Sequence, residues 1–183
     1  MLYSSSCSYY CLIQNLIEVL ADKLCRAGEF VPQPIAQSLE MILSELSKQD
    51  AVRLVTALLP YATLDTSCSS SSSTISSNNA GENPQVRILA LHALCASIKH
   101  LSSAQLLNLL PSLVPAVLSS VNSSLADLRK AVIFILVEVY LSVGDSVFPF
   151  VNTLTPPQRK LLTIYIEKRL NERKQNVVNA LNA

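Results

Sequence analysis

The sequence predicts an all-α protein in which pairs of antiparallel helices stack side by side, and three observations lead to this fold class. Apolar residues recur at helical spacing, two helical segments repeat at a fixed offset, and Gly and Pro stand where helices begin or end. The length of 183 residues suits one domain with a sizeable core. We therefore expect a single domain over residues 1–174 and a fraying tail at 175–183.

Helical segments follow one another along most of the chain. The first ends at Gly28, and Gly144 ends the most apolar one. The predicted segments are residues 8–26, 35–48, 49–61, 84–99, a leucine-rich helix beginning after Ser102, 126–141, a short helical turn at 145–152, and a last helix beginning at Thr155. Between them, the serine-rich stretch at about 65–83 cannot build a core, and we expect a disordered loop insertion there.

The stretch 126–141, ADLRKAVIFILVEVYL, is the centre of the predicted fold. Its β-branched residues would also suit a strand, but its length and its flanking residues favour a helix. Ser124 is a candidate N-cap, with Asp127 three residues later. Because little of its circumference is polar, this helix needs neighbours on several sides, and we expect Phe134 and Leu136 in the core.

Capping signals mark the helices on either side of this stretch. Ser102 and Gln105 form a capping box, and Pro111 with Pro115 should kink or break the helix that follows. The run Thr155-Pro156-Pro157-Gln158 provides an N-cap, a proline at the first helical position and a second box. The residues expected to face inward on the last helix are Leu161, Leu162, Tyr165, Ile166 and Leu170.

Two segments repeat with an offset of 42 residues. Placing residues 84–98 over 126–140 aligns Arg87 with Arg129 and Leu94 with Leu136. A proline-containing, leucine-rich segment precedes each copy, and the offset lies within the roughly 40 to 47 residues of HEAT and armadillo repeats. Stacked pairs of this kind predict an α-solenoid, an armadillo-like superhelix with one continuous core.

Composition excludes several classes of function. A net charge of +1 with 15% charged residues argues against nucleic-acid binding, whereas 50% hydrophobic residues suit an interaction module with an exposed apolar face. Five scattered cysteines, an odd number, indicate reduced thiols in an intracellular protein, and the N-terminus lacks the basic region of a signal peptide. The uncharged span 101–126 is long enough to cross a bilayer, but polar residues and prolines dilute it, so we expect no membrane insertion.

Neither a metal site nor an enzyme active site is predicted. His92 and Cys95 could share a helix face with His100 nearby, but a structural zinc ion needs four ligands and no closing pair is visible. With 3 glycines in the chain, no Gly-rich loop offers an oxyanion or phosphate site. We expect no cofactor, with Cys95 as a small core residue.

The charged side chains have two interpretations each. Arg87 and Arg129 could contact a ligand, but an Arg at this position more often satisfies helix ends or carboxylates between repeats, with Asp127 as the natural mate. A basic edge for an acidic partner competes with ordinary solvated helix charges as the account of the remaining cations. The candidate partner-binding residues are Lys130, Arg159, Lys160, Lys168 and Arg169, with Arg173 beside them.

The run from Leu109 to Arg169 resembles the C-terminal TOG-like HEAT domain of the CLASP family, the cytoplasmic-linker-associated proteins of microtubule plus ends. The resemblance lies in D-x-R-K-A-V followed by F-x-L-V, then a glycine with a short helix, then L-T-x-x-Q-x-K-L-L-x-x-Y-I. These motifs fall on Asp127, Arg129, Lys130, Ala131, Val132, Phe134, Leu136, Val137, Gly144, Leu154, Thr155, Gln158, Lys160, Leu161, Leu162, Tyr165 and Ile166.

The resemblance implies a docking module of a cytoplasmic regulator of microtubules at plus ends, kinetochores, spindle or cortex. Its implied partners are cytoplasmic linker proteins, kinetochore motors or cortical anchors. Family members are far longer, so the chain would be a fragment, a partial gene model or a reduced paralogue. TOG domains that grip tubulin use a tryptophan in their first turn, whereas this chain has none and reads Gly28-Glu29-Phe30 there, which implies indirect microtubule contact. A tubulin-binding TOG domain and a HEAT scaffold unrelated to microtubules are the alternatives.

Overall fold

All regular secondary structure is helical in the parts of the chain that the computed structural model describes, which are residue 15 and residues 33–63 and 84–181. The helices are α1 (Gln33–Ala62), α2 (Pro84–Ile98), α3 (Ser103–Leu118), α4 (Ala126–Val143) and α5 (Pro156–Leu181), with a 3₁₀ helix at Gly144–Phe150. Within these ranges there is no strand, which confirms the all-α class. The predicted helix at 8–26 and the serine-rich loop at 65–83 lie outside the described residues.

Helix α1 contains a break at Asp50, where the backbone is non-helical with φ −150° and ψ 79°. The Asp50 carboxylate accepts a hydrogen bond from the Arg53 backbone N–H at 3.2 Å and pairs with the Arg53 Nε at 3.0 Å. Asp50 thus caps the second half of α1 as an N-cap residue does. The prediction of two helices meeting near residue 49 is confirmed to within one or two positions.

Helix α3 has the predicted capping box, with both hydrogen bonds between Ser102 and Gln105 present. It runs without interruption through Pro111 and Pro115, so the predicted break is wrong, whereas a kink at these prolines stays a prediction. The two prolines lie four residues apart on the exposed face. The carbonyl groups that lose their N–H partners there can be solvated, which lowers the cost of keeping the helix intact.

Helix α4 begins after Leu125 and ends at Gly144, whose φ of 63° is readily adopted only by glycine. The Gly144 N–H donates to the Tyr140 carbonyl and closes the last turn. The predicted Ser124 cap is wrong: Leu125 occupies the N-cap position and no side chain caps the helix. Extended backbone at Leu125 leaves Ser124 one residue outside the helix, beyond the reach that a capping side chain requires.

Helix α5 starts at Pro156 as predicted, and the Thr155 N–H donates to Gln158 Oε1 at 2.9 Å, which is one arm of the predicted box. The helix continues to Leu181, past the predicted end of the domain at residue 174. No Gly or Pro lies in residues 175–181 to stop it. Fraying of this exposed end stays a prediction.

Successive helices pack in pairs around α4. Helix α1 packs on α2, and α3 packs on α4; across the pairs, α2 contacts α4 and α1 contacts α3. Helix α5 and the 3₁₀ helix both pack on α4. The α4 side chains Leu128, Val132, Ile135 and Leu136 are at most 1% exposed. The prediction that this helix needs neighbours on several sides is therefore confirmed.

Three predicted core residues lie on the surface instead. Phe134 is 44% exposed, and on α5 Leu161 is 43% and Leu170 36% exposed, although Leu162 and Ile166 are buried as predicted. The reason is geometric, because α5 packs on α4 along one stripe, and side chains beside that stripe on either helix stay exposed. Phe134 lies at the edge of that stripe, where the Tyr165 ring makes an edge-to-face contact at 5.4 Å between centroids.

One described segment, Ala126–Phe150, is long and apolar enough to cross a bilayer, with a mean hydropathy of 1.9. Half of that apolar window is buried inside the fold. The span 101–126, which raised the same question, contains the 16-residue helix α3 and a turn. The hydropathy of α4 is accounted for by its central position among the other helices.

Candidate functional site

A buried carboxylate lies at the junction of α4, α5 and the end of α2. The Glu138 side chain is 7% exposed and faces three cations: Arg169 Nη2 at 3.1 Å, Arg173 Nη2 at 3.7 Å and Lys99 Nζ at 4.0 Å. The cations are about half exposed. A buried carboxylate is tolerated when close charges compensate its lost hydration, and these cations do so from two different elements.

Next to this cluster lies an open groove that we call the α4–α5 cleft. Phe134 and Tyr165 line both of its cavities, which have volumes of about 420 and 270 Å³. The larger cavity is otherwise lined by Val121, Ala126, Arg129, Lys130, Ile133, Gln158 and Leu161, and the smaller by Cys95, Lys99, Val137, Glu138, Lys168, Arg169 and Glu172. Apolar walls with charged edges are typical of a surface that receives another molecule.

Positive charge predominates around the cleft although the whole chain carries only +1. Together with the adjoining cavity at Arg173, the lining contains six basic side chains and two acidic ones, Glu138 and Glu172. Lys168 forms no ion pair with any residue in 33–63 or 84–181. The cleft is therefore a concentrated site of attraction for anionic groups.

The predicted partner-binding residues divide into two groups. Lys130, Lys168 and Arg169 line the cleft, whereas Lys160 is exposed outside it. Arg159 also lies outside the cleft and donates from Nε to the Leu154 carbonyl at 2.9 Å and from Nη2 to the Asn152 carbonyl at 3.0 Å. These two hydrogen bonds stabilise the turn that precedes α5.

Arg129 makes the same kind of contact as Arg159. Each is the fourth residue of its helix, and its guanidinium group donates to carbonyls of the preceding loop. The Arg129 Nη1 donates to the carbonyls of Ser123 and Ser124 at 2.7 and 2.8 Å, so this Arg satisfies acceptors of the loop that precedes α4. Asp127 does not pair with it. The Asp127 carboxylate contacts Lys130 at 3.3 Å, with both side chains largely exposed, so the predicted Arg–Asp ladder is wrong here. Arg87 occupies the equivalent position of α2 and is partly buried.

Sequence reasoning missed Glu138 and Lys99 as members of the site. A signal for Glu138 was present, because it is the one acidic residue within the apolar run 131–141. Such a residue in a helix with buried surroundings needs a cationic partner. No comparable signal marks Lys99, whose position beside Glu138 depends on the packing of α2 against α4.

The Cys and His residues do not form a metal site among the described residues, where no group of three or more potential ligands comes together. His92 is exposed, with Nδ1 at 2.8 Å from Glu40 Oε1. Cys95 is partly buried at the cleft. Burial raises the pKa of the Cys95 thiol, and Glu138 adds to this, while Lys99 and Arg169 act in the opposite direction.

We expect Cys95 to react slowly with iodoacetamide in the folded protein. Because burial raises its pKa, the thiolate fraction at pH 8 is smaller than in the unfolded chain, and the thiolate is the nucleophile. Labelling measured on the Cys95 peptide by mass spectrometry should be several-fold slower than in urea and should accelerate as pH rises above the usual thiol pKa of about 8.5. Equal rates in buffer and urea would contradict the burial of this thiol.

The fold and the cleft together define a class, an all-α protein of consecutively packed helix pairs with a cationic, apolar-walled surface cleft. No protein-family model matches the sequence. The chain is similar to a CLIP-associated protein of Arabidopsis thaliana, at 24% identity over 157 residues, which is 85% of this chain and 10% of that protein. It is also similar to the CLIP-associating protein 1-B of Xenopus laevis, at 30% identity over 83 residues, or 45% of this chain and 6% of that protein.

These similarities show a relationship between the chain and the CLASP family, and the resemblance seen in the sequence is confirmed. The chain spans about a tenth or less of the length of these relatives.

Proposed function

We propose that the chain is a protein–protein docking module of a CLASP-like, microtubule-associated protein of the cytoplasm, without enzymatic activity. It presents surfaces of stacked helix pairs to partner segments and performs no chemistry. By resemblance, its partners are cytoplasmic linker proteins, a kinetochore motor or a cortical anchor. The observation that carries the proposal is the α4–α5 cleft in a chain related to proteins whose names describe association with CLIP.

The structure of the cleft favours docking over catalysis. Its titratable groups form a shared ion cluster around Glu138, and the Cys95 thiol is held in its protonated form by burial. Neither arrangement supplies the activated nucleophile with an adjacent base that covalent catalysis requires. Half-exposed apolar side chains beside charged edges suit a contact with another protein.

Affinity capture from cell extract, followed by mass spectrometry, tests this proposal. Recovery of a cytoplasmic linker protein, a kinetochore motor or a cortical anchor supports it. Recovery of coat or transport factors without any of these would instead assign the chain to a scaffold unrelated to microtubules. A variant unfolded by a core substitution is the control for nonspecific capture.

We expect the isolated chain to bind tubulin weakly, because it lacks the tryptophan with which TOG domains grip tubulin. Co-sedimentation with purified microtubules at physiological salt should leave most of the chain in the supernatant. Adding a captured linker protein should move it into the pellet. Direct binding at about micromolar affinity would contradict indirect attachment and would favour a domain that acts on the lattice itself.

A further inference from the structure

We propose that the α4–α5 cleft binds an acidic peptide segment whose apolar side chains occupy the two cavities on either side of the Phe134–Tyr165 pair. This inference rests on the proposed docking function and adds to it the surface used and the chemistry of the occupant. The pair stands where the cavities meet, and each cavity has its own cations: Arg129 and Lys130 on one side, Lys99 and Lys168 on the other.

The apolar side chains of the cleft are too exposed to belong to the core, and they lie next to one another rather than singly over the surface. Phe134 is 44% and Leu161 43% exposed, and both line the larger cavity with the buried Ile133. A volume of about 420 Å³ accommodates an aromatic or a branched aliphatic side chain. Phe134 and Tyr165 are already in edge-to-face contact, so an incoming side chain meets a fixed wall.

The cations of the cleft indicate that the bound peptide carries negative charge. Glu138 is compensated by three cations, but Lys168 has no acidic partner among residues 33–63 and 84–181. Arg129 donates only to backbone carbonyls, so its positive charge is not neutralised by a carboxylate. Carboxylates of a peptide lying along the cleft would meet unneutralised charge at both ends.

A peptide fits the cleft better than a nucleic acid does. The walls between the cations are mostly aliphatic and aromatic side chains (Ile133, Phe134, Val137 and Leu161), and only Gln158 and Tyr165 add uncharged donors there, too few to follow a phosphate chain. Nucleic-acid surfaces place many cations along a backbone and lose affinity steeply with salt. Here apolar burial supplies part of the binding, so affinity should fall only modestly between low and physiological salt.

Selection from a display library of random 16-residue peptides, using the intact chain as bait, tests the inference. Enriched peptides should combine Asp or Glu with Phe, Leu or Ile. Their affinity, measured by fluorescence polarisation, should fall at least tenfold for Lys168→Glu and for Leu161→Ser. The matched control Lys174→Glu, an exposed lysine of the same helix outside the cleft, should stay within twofold of the parent. Thermal unfolding of each variant excludes loss of fold as the cause.

Failure to enrich any peptide, enrichment without acidic residues, or equal binding by Lys168→Glu and the parent would each overturn the inference. A single-stranded DNA oligonucleotide that displaced the peptides with equal affinity would also overturn it, in favour of a general polyanion site. Capture from extract with Lys168→Glu separates this inference from the proposed function. Undiminished recovery of a linker protein by that variant rejects the cleft but keeps the docking function, whereas no recovery by the parent rejects the docking function itself.

Discussion

Replacing Leu136 with Ala should lower the free energy of unfolding by about 2–5 kcal/mol, the range found for deleting large aliphatic side chains from cores. Leu136 is 0% exposed and lies on α4, which contacts α2, α3, α5 and the 3₁₀ helix. A cavity at this position cannot be filled by solvent or by a nearby loop. Urea unfolding followed by circular dichroism measures the change, with a lower midpoint and an unchanged slope expected.

Phe134→Ala is the matched control for this prediction, because it removes a larger side chain from the same helix two residues away. Phe134 is 44% exposed and its main aromatic contact is Tyr165, so we expect the variant to lose about 1–2 kcal/mol, less than Leu136→Ala. Equal losses for the two variants would contradict the assignment of Phe134 to the cleft surface. A parent-like midpoint for Leu136→Ala would contradict the central position of α4.

The comparison of Phe134 with Leu136 also shows where sequence reasoning stops. Both residues lie in one apolar run, and a helical period identifies the run as a helix that needs neighbours on several sides. The helical period cannot show how much of the α4 surface the neighbouring helix covers. Helix α5 leaves the α4 face at Phe134 half open, and this depends on packing between segments about 30 residues apart in sequence.

Local signals of the fold were easier to predict than the site. The capping box at Ser102, the stop at Gly144 and the start at Pro156 were all predicted, because each depends on residues within one helical turn. The Ser124 cap failed although its spacing was acceptable. The N-cap position falls one residue later, at Leu125, and the bonds from Arg129 to the Ser123 and Ser124 carbonyls, which satisfy acceptors rather than the helix N–H groups, follow no simple spacing rule.

The basic residues of the last helix show the same limit from the functional side. Lys160 and Lys168 are both exposed lysines of α5, and sequence gave no reason to separate them. Only the position of α5 on α4 places Lys168 at the cleft and Lys160 outside it. Charge patterning therefore selected α5 as a candidate surface, whereas the tertiary structure was needed to see which of its lysines lies beside the cleft.

Removing two of the cations around Glu138 should destabilise the protein more than removing exposed charges usually does. In the double variant Arg169→Met, Arg173→Met, the aliphatic stems are largely kept, while a carboxylate that is 7% exposed retains only Lys99, at 4.0 Å. Loss of one partner of a fully buried pair costs about 3–5 kcal/mol, and because these cations are half exposed we expect about 1–3 kcal/mol. Urea unfolding gives the value, and hydrogen exchange should show faster opening in the second half of α5.

Adding Glu138→Gln to that double variant should restore at least half of the lost stability, because a neutral amide costs far less to bury than an unpaired carboxylate. The two sets of changes are then strongly coupled, and a double-mutant cycle measures the coupling directly. Lys174→Met, which removes an exposed charge from the same helix, should change stability by less than about 0.5 kcal/mol. Additive losses in the cycle would mean that Glu138 is hydrated in solution. Arg169 and Arg173 would then stabilise the packing of α5 only through their aliphatic stems.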